Sequence, residues 1–282
     1  MKSTLYLLVI LLSLSSFTLA IADDYTTLGQ TKIDSLISEL SSAKEDTVKV
    51  NILYNISFEL KGTNPQLGLD YAFRGVKIAR KINWKSGEAD CLFCIGLLYD
   101  YLSDYLESLK YYNYSLKIIK DINDLKGVAH CYRNIGLLYS YTDDFDKALE
   151  FSNKGLKIST NIDDEMGKAN AFENIGIVYL KKNEYKKALE YYTQSLDIGK
   201  KNNDKVLMAS YLSDMGLILN NLGEHKKALE NYQTALELFL EMNHTIGIIR
   251  TKRRLGALYL ESYFNGDKTE INHPIGSGDI ST

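Results

Sequence analysis

The chain has 282 residues, 45% hydrophobic and 24% charged, with a formal net charge of −3. That is the composition of a folding chain, and its slight acidity leaves no basic footprint for a phosphate backbone, so it excludes wholesale disorder and argues against a nucleic-acid partner. The only 2 prolines are Pro65 and Pro274, so almost nothing in the interior interrupts long helices.

In chain order, the first element is a targeting segment. Lys2 precedes the apolar run Leu5 to Leu12, and Ala20-Ile21-Ala22 stands before Asp23-Asp24, the pattern of an export signal cleaved after Ala22. The domain reading is therefore 1–22 as signal peptide, with a periplasmic or secreted mature chain. The alternative is an uncleaved anchor in the inner membrane, since Leu5 to Ala22 approaches the roughly 20 apolar residues that span a bilayer. Only in that case is a membrane a partner.

Residues 28–48 read as an N-terminal capping helix, with Ile33, Leu36, Ile37 and Leu40 at helical spacing. An array follows over 49–264. Ile95-Gly96, Ile135-Gly136, Ile175-Gly176, Met215-Gly216 and Leu255-Gly256 recur every 40 residues, so a search for internal repeats settles the architecture. Tyr99, Tyr139, Tyr179, Leu219 and Tyr259 follow the glycines, then Ser108, Ala148, Ala188 and Ala228, then Leu116, Leu156, Leu196 and Leu236. The units are 49–88, 89–128, 129–168, 169–208 and 209–248, with a partial unit at 249–264.

Each unit holds two amphipathic helices. In one, the first runs from Ala169 to Leu180 and the second from Tyr185 to Gly199, around Lys181-Lys182-Asn183-Glu184. Asn83, Asn123, Asp163, Asn203 and Asn243 mark the connections between units, and Gly87, Gly127, Gly167 and Gly247 read as turn residues beside them. The small residues at Gly176 and Ala188 let the two helices approach closely. Residues 265–282, rich in Gly, Ser, Asp and Thr, read as a disordered tail.

This spacing of small-aliphatic, Gly, Tyr, Ala and Leu resembles the tetratricopeptide repeat, in the 40-residue form of kinesin light chains and of exported sensory proteins of some bacteria. Lys120, Thr160, Lys200 and Leu240 stand where the family has a helix-ending proline, so the second helices should run longer. The resemblance implies an all-α, right-handed superhelical solenoid of antiparallel helix hairpins that binds a protein or peptide in a concave groove lined by the first helices. Carried onto this chain, the groove offers Arg133, Asn134, Asn170, Glu173, Asn174, Asp214, Asn221, Arg250, Arg253 and Arg254, with neighbours such as Asp100 and His130.

Asn134 and Asn174 share a repeat position, where an amide can clamp a peptide backbone. The alternative role is to tie neighbouring helices. Arg250, Lys252, Arg253 and Arg254 suit a carboxylate, or else form a solvated face.

No catalytic constellation, cofactor site or metal site is expected. Cys91-x-x-Cys94 lies inside a helix and reads as packing, its sharper alternative being a thiophilic metal held with His130 and Cys131. The function expected is an exported binding scaffold. The alternative is the extracytoplasmic sensory region of a truncated membrane signalling protein, such as a histidine kinase or transcription regulator. The unpaired last helix makes dimerisation through the C-terminal end a further expectation.

Overall fold

A computed structural model describes residues 30–264. The signal peptide read over 1–22 and the tail read over 265–282 lie outside the described residues.

The described residues are helices joined by short turns. Helix α1 covers 30–42, and α2 is Thr47–Glu59, followed by a 3-10 turn at Leu60–Gly62. Then come α3 Pro65–Lys81, α4 Lys85–Tyr101, α5 Tyr105–Asp121, α6 Leu125–Tyr141, α7 Phe145–Asn161 and α8 Glu165–Lys181. The last four are α9 Tyr185–Lys201, α10 Lys205–Asn221, α11 His225–Glu241 and α12 Thr245–Phe264. The chain divides into two compact units, Met1–Ile198 and Gly199–Thr282. In the first, successive helices from α2 to α8 pack against each other; in the second, α10, α11 and α12 do.

From α3 to α11 every helix is 17 residues long. The turns explain this regularity. A left-handed residue recurs at Asn83, Ser103, Asn123, Asp143, Asp163, Asn183, Asn203, Gly223 and Asn243, so the stop signal read between units also operates inside each hairpin. After α4, Ser103 N–H donates to the Asp100 carbonyl and Asp104 N–H to that of Tyr99, both at 2.9 Å. These bonds close the helix end as a Schellman turn. The next residue starts the following helix: Asp104, Asp124, Asp144 and Asp204 accept from the backbone N–H of Glu107, Gly127, Lys147 and Leu207.

Ser103 is the one residue in that series that is neither Asn, Asp nor Gly. Because a Cβ in the left-handed region costs roughly 1–2 kcal/mol, Ser103→Gly is expected to raise stability by about 0.5–1 kcal/mol after the greater freedom of glycine in the unfolded chain is deducted. Urea denaturation checks this; a lower midpoint would contradict it.

Of three features, two differ from the sequence reading and one agrees with it. The first helices begin four residues ahead of the unit boundaries, α4 at Lys85 and α8 at Glu165. The second helices extend past Lys120, Thr160, Lys200 and Leu240, as the missing proline implied. Gly87, Gly127, Gly167 and Gly247 are not turn residues but third residues of helices. They serve space rather than backbone freedom: a Cβ on Gly127 would stand 2.3 Å from the capping Asp124 carboxylate, and one on Gly247 2.4 Å from the Phe239 ring.

Three hairpins close with the glycine of the first helix against a tyrosine ring of the second. A Cβ on Gly96, Gly176 or Gly216 would fall 2.6, 2.8 or 2.7 Å from the ring of Tyr112, Tyr192 or Tyr232. At the N-terminal end, Ile33 and Leu40 of α1 are buried with Ile52, Leu53, Ile56 and Leu60. The helix read over 28–48 spans 30–42 here, and Ile37, one of its apolar positions, stays exposed.

Candidate functional site

In the first unit, α6 and α8 lie side by side with α7 packed against both. Between them opens a pocket of about 280 Å³, lined by Lys126, Gly127, Ala129, His130 and Arg133 of α6, Gly155 and Ser159 of α7, Asp164, and Met166, Gly167, Asn170 and Ala171 of α8. Two of the sequence-predicted residues, Arg133 and Asn170, meet here with the neighbouring His130. The others named above were not read as site residues.

The α7 residues explain why the space exists. At the repeat position of Gly155 stand Ser115 and Ser195, whose hydroxyls donate to the carbonyls of Ala89 and Ala169, each at 2.9 Å. At the position of Ser159, one unit earlier, stands the buried Ile119. Relative to the unit before, both residues of α7 are smaller, but neither column is constant along the array: Gly75 and Ala235 share the position of Gly155, and Ala79, Gly199 and Phe239 that of Ser159.

Lys126, His130 and Arg133 fall four and three residues apart, on one side of α6. His130 is exposed to solvent overall, yet its ring packs against Phe93 with the centroids 4.5 Å apart, and the protein around it disfavours the charged imidazole. Its pKa is pushed down by this desolvation first, then by the charges of Arg133 and Lys126. Asp164 is the single carboxylate in the lining.

The remaining predicted residues are placed as follows. Asn134 on α6 donates to the His130 carbonyl of its own helix at 2.8 Å. Asn174 is buried, and its amide donates across to the Arg133 carbonyl at 2.8 Å, tying α8 to α6. Glu173 is half-buried. In the second unit, Asp214 and Arg254 pair at 2.6 Å, and Arg254 also donates to Ser213 Oγ at 2.9 Å. Asn221 and Arg253 are exposed, and Arg250 is half-buried. Of the cations read as a C-terminal basic rim, Arg254 is therefore committed inside the protein.

Cys91 and Cys94 share one core cluster and Cys131 lies in another. Burial pushes the thiols of Cys94 and Cys131 up to about 12. Among the described residues, no group of three His, Cys, Asp or Glu is placed to hold a metal ion.

Asp100, at the end of α4, has its pKa raised from 3.8 to about 6 by burial. A carboxyl that holds its proton more tightly when folded favours the folded state at low pH. Its contribution is full below about pH 4 and is lost as pH rises through about 6. Asp100→Asn is therefore expected to match the parent near pH 4 and exceed it in melting temperature above pH 6. Equal gains at both pH values would show that the carboxyl does not titrate this way.

Three family models, each described as tetratricopeptide repeat, match residues 88–161, 171–206 and 209–240. No curated protein matches the chain. Among solved structures, it is similar to BtubC from P. vanneervenii, at 16% identity over 76% of this chain and 92% of that one, with a TM-score of 0.61. It is similar to NprR in complex with its cognate peptide NprX, at 19% identity over 87% and 69% of the two chains, with a TM-score of 0.64. A third is the kinesin light chain-like repeat protein of Podosopora anserina, at 10% identity over 71% and 99%, with a TM-score of 0.53. At these identities the likenesses establish the fold alone. With its 40-residue helix hairpins closing on a recurrent glycine and three matching family models, the chain belongs to the tetratricopeptide repeat family.

Proposed function

We propose that this chain is a scaffold that binds a peptide, or an extended segment of a protein, along the first helices α4, α6 and α8. The observation that carries this reading is the pocket between α6 and α8, with Arg133 and Asn170 in its lining. Repeat proteins present their ligand contacts on such a surface, and the similar NprR structure holds a peptide. Asn134 spends one amide donor on His130, so the second donor and the carbonyl oxygen suit a peptide backbone. Asn174 serves the fold through its bond to Arg133.

Selection from a random peptide library with the purified chain tests the proposal. An enriched peptide should protect His130 and Asn170 from hydrogen exchange, and Arg133→Ala with Asn170→Ala should lower its affinity by about tenfold, a loss of about 1.4 kcal/mol. Unchanged affinity would place the binding elsewhere.

The proposal also takes the scaffold to be exported, supported by Lys2, the apolar run Leu5 to Leu12 and the small residues before Asp23. Among the described residues, no helix is long and apolar enough to cross a membrane. N-terminal sequencing of the protein from a fractionated cell should find Asp23 first, outside the cytoplasm. Recovery of the intact Met1 end in the cytoplasm would sink the export reading.

A further inference from the structure

Where α4 and α6 end and α5 begins, the repeat changes its polar chemistry. One repeat further on, between α6 and α8, the chain supplies a cation of its own. Lys181 Nζ stands 5.9 Å from the centre of the Tyr141 ring, donates to the Ser140 carbonyl and pairs with Asp143 at 3.0 Å. In the columns of Lys181, Ser140 and Asp143, the preceding repeat has Tyr141, Asp100 and Ser103. A carboxylate is kept there at Asp100, and a tyrosine replaces the lysine.

Asp100 is half-buried near a group of tyrosines. The rings of Tyr105 and Tyr141 lie with centroids 6.1 Å apart. The Tyr141 phenol is pushed up to about 12 by burial first, then by the charge of Asp100 and by Tyr105, Tyr101 and Glu173. Among the described residues, no cation acts on Asp100, whose pKa is raised by burial alone. The carboxylate also stands at the C-terminal end of α4, where the helix dipole favours a positive charge. Tyr101 and Tyr141 remain exposed, as do Leu102 and Leu106, the chain neighbours of Tyr101 and Tyr105. Leu106, at 82% exposure, occupies a column where later repeats carry Asp146, Lys186 and Lys226.

We infer that Asp100, Tyr105 and Tyr141, flanked by Tyr101, form a site for an alkylammonium, the end of a lysine side chain on a partner protein. The face of an aromatic ring attracts a cation through its quadrupole, and the carboxylate adds an ion pair that no described residue makes with it. Leu102 and Leu106 offer apolar surface on which the lysine stem can lie. A calcium ion fits less well, because it takes about six to eight oxygens and the site offers one carboxylate. The site lies at the C-terminal end of α6, away from the pocket at the N-terminal half of that helix. It also takes Tyr105 from a second helix, so it does not rest on the groove reading.

The test follows the ring signals of carbon-13-labelled tyrosine in the full chain by NMR, at about pH 8, where Asp100 is ionised. Single Tyr→Phe variants assign Tyr101, Tyr105 and Tyr141. n-Butylammonium, the lysine side chain without its backbone, is expected to shift these signals at about tenfold lower concentration than n-butanol, its neutral counterpart. Nα-acetyl-lysine methylamide should bind as tightly as n-butylammonium. Asp100→Asn should bring the ratio between n-butylammonium and n-butanol close to one, with a melting temperature no lower than the parent's to show that the loss is local. Tyr141→Leu should weaken n-butylammonium by about fivefold, whereas Tyr141→Phe, which keeps the ring, should not. Equal affinity for the two probes, a preference that survives D100N, or the same shifts from sodium chloride at matched ionic strength overturns the site. A capped lysine bound more than about tenfold more weakly than n-butylammonium overturns the partner lysine and assigns the site to a free amine. No shift with any probe overturns the site and leaves the groove reading standing.

Discussion

Gly136→Ala is expected to destabilise the protein by about 2 kcal/mol, as overpacking of a tight helix contact does. Gly256→Ala, at the same repeat position, is expected to stabilise it by about 0.5–1 kcal/mol, since alanine is the better helix former. The two differ in what faces them. A Cβ on Gly136 would stand 2.7 Å from Ser152 Oγ, 3.0 Å from Ser152 N and 3.1 Å from the Ala148 carbonyl. Two of those atoms are backbone and cannot rotate away. At Gly176 the nearest neighbour is the Tyr192 ring at 2.8 Å, with backbone no nearer than the Ala188 carbonyl at 3.6 Å; a side chain yields more readily than backbone, so Gly176→Ala should cost less than Gly136→Ala. Nothing lies within 4 Å of a Cβ on Gly256. Urea denaturation of the three variants checks the order, and equal effects at 136 and 256 would refute it.

The second large effect is at the Asp214–Arg254 pair. Both side chains are mostly buried, at 12% and 18% exposure, and Ser213 Oγ, 3.1 Å from Thr251 Oγ1, accepts from the same guanidinium. Removing one partner strands the other charge in a poorly solvated place, so Arg254→Met alone should cost about 3 kcal/mol. Pairing it with Asp214→Leu should recover most of that loss, because two apolar side chains need no partner. Thermal melting of the single and double variants decides it. A double variant no more stable than the single would mean that packing by the Arg254 stem, rather than the stranded charge, set the cost.

Asn134, Asn174, Asp214 and Arg254 occupy one repeat position, and their roles in the structure show where sequence reasoning runs out. All four were read as ligand contacts because the family lines its groove there. Asn134 turns back to its own helix, Asn174 ties α8 to α6, and Asp214 and Arg254 close on each other. A 40-residue period tells which helix face a residue is on. It does not tell whether a partner 40 or 41 residues away already occupies its polar atoms.

The pocket teaches the same lesson from the other side. Arg133 and Asn170 were found by counting along first helices. Gly155 and Ser159 lie on a second helix and went unread, and their columns, Gly75, Ser115, Ser195 and Ala235 for the one and Ala79, Ile119, Gly199 and Phe239 for the other, vary along the array. Departures from a repeat are visible in sequence, but whether a missing side chain leaves a void or is filled by its neighbours depends on packing.

By itself, the sequence determined the helical class, the period and the glycine contacts of the hairpins. All of these follow from local hydrophobic spacing and from small residues repeated at fixed intervals. The tertiary structure alone decided that the left-handed stop recurs inside each hairpin as well as between units, and that Gly127 makes room for the Asp124 cap. It also decided that Asp214 and Arg254 are spent on each other and that α7 leaves a cationic pocket open between α6 and α8. Each of those depends on distances between side chains far apart in the chain, set by how 17-residue helices lean on one another.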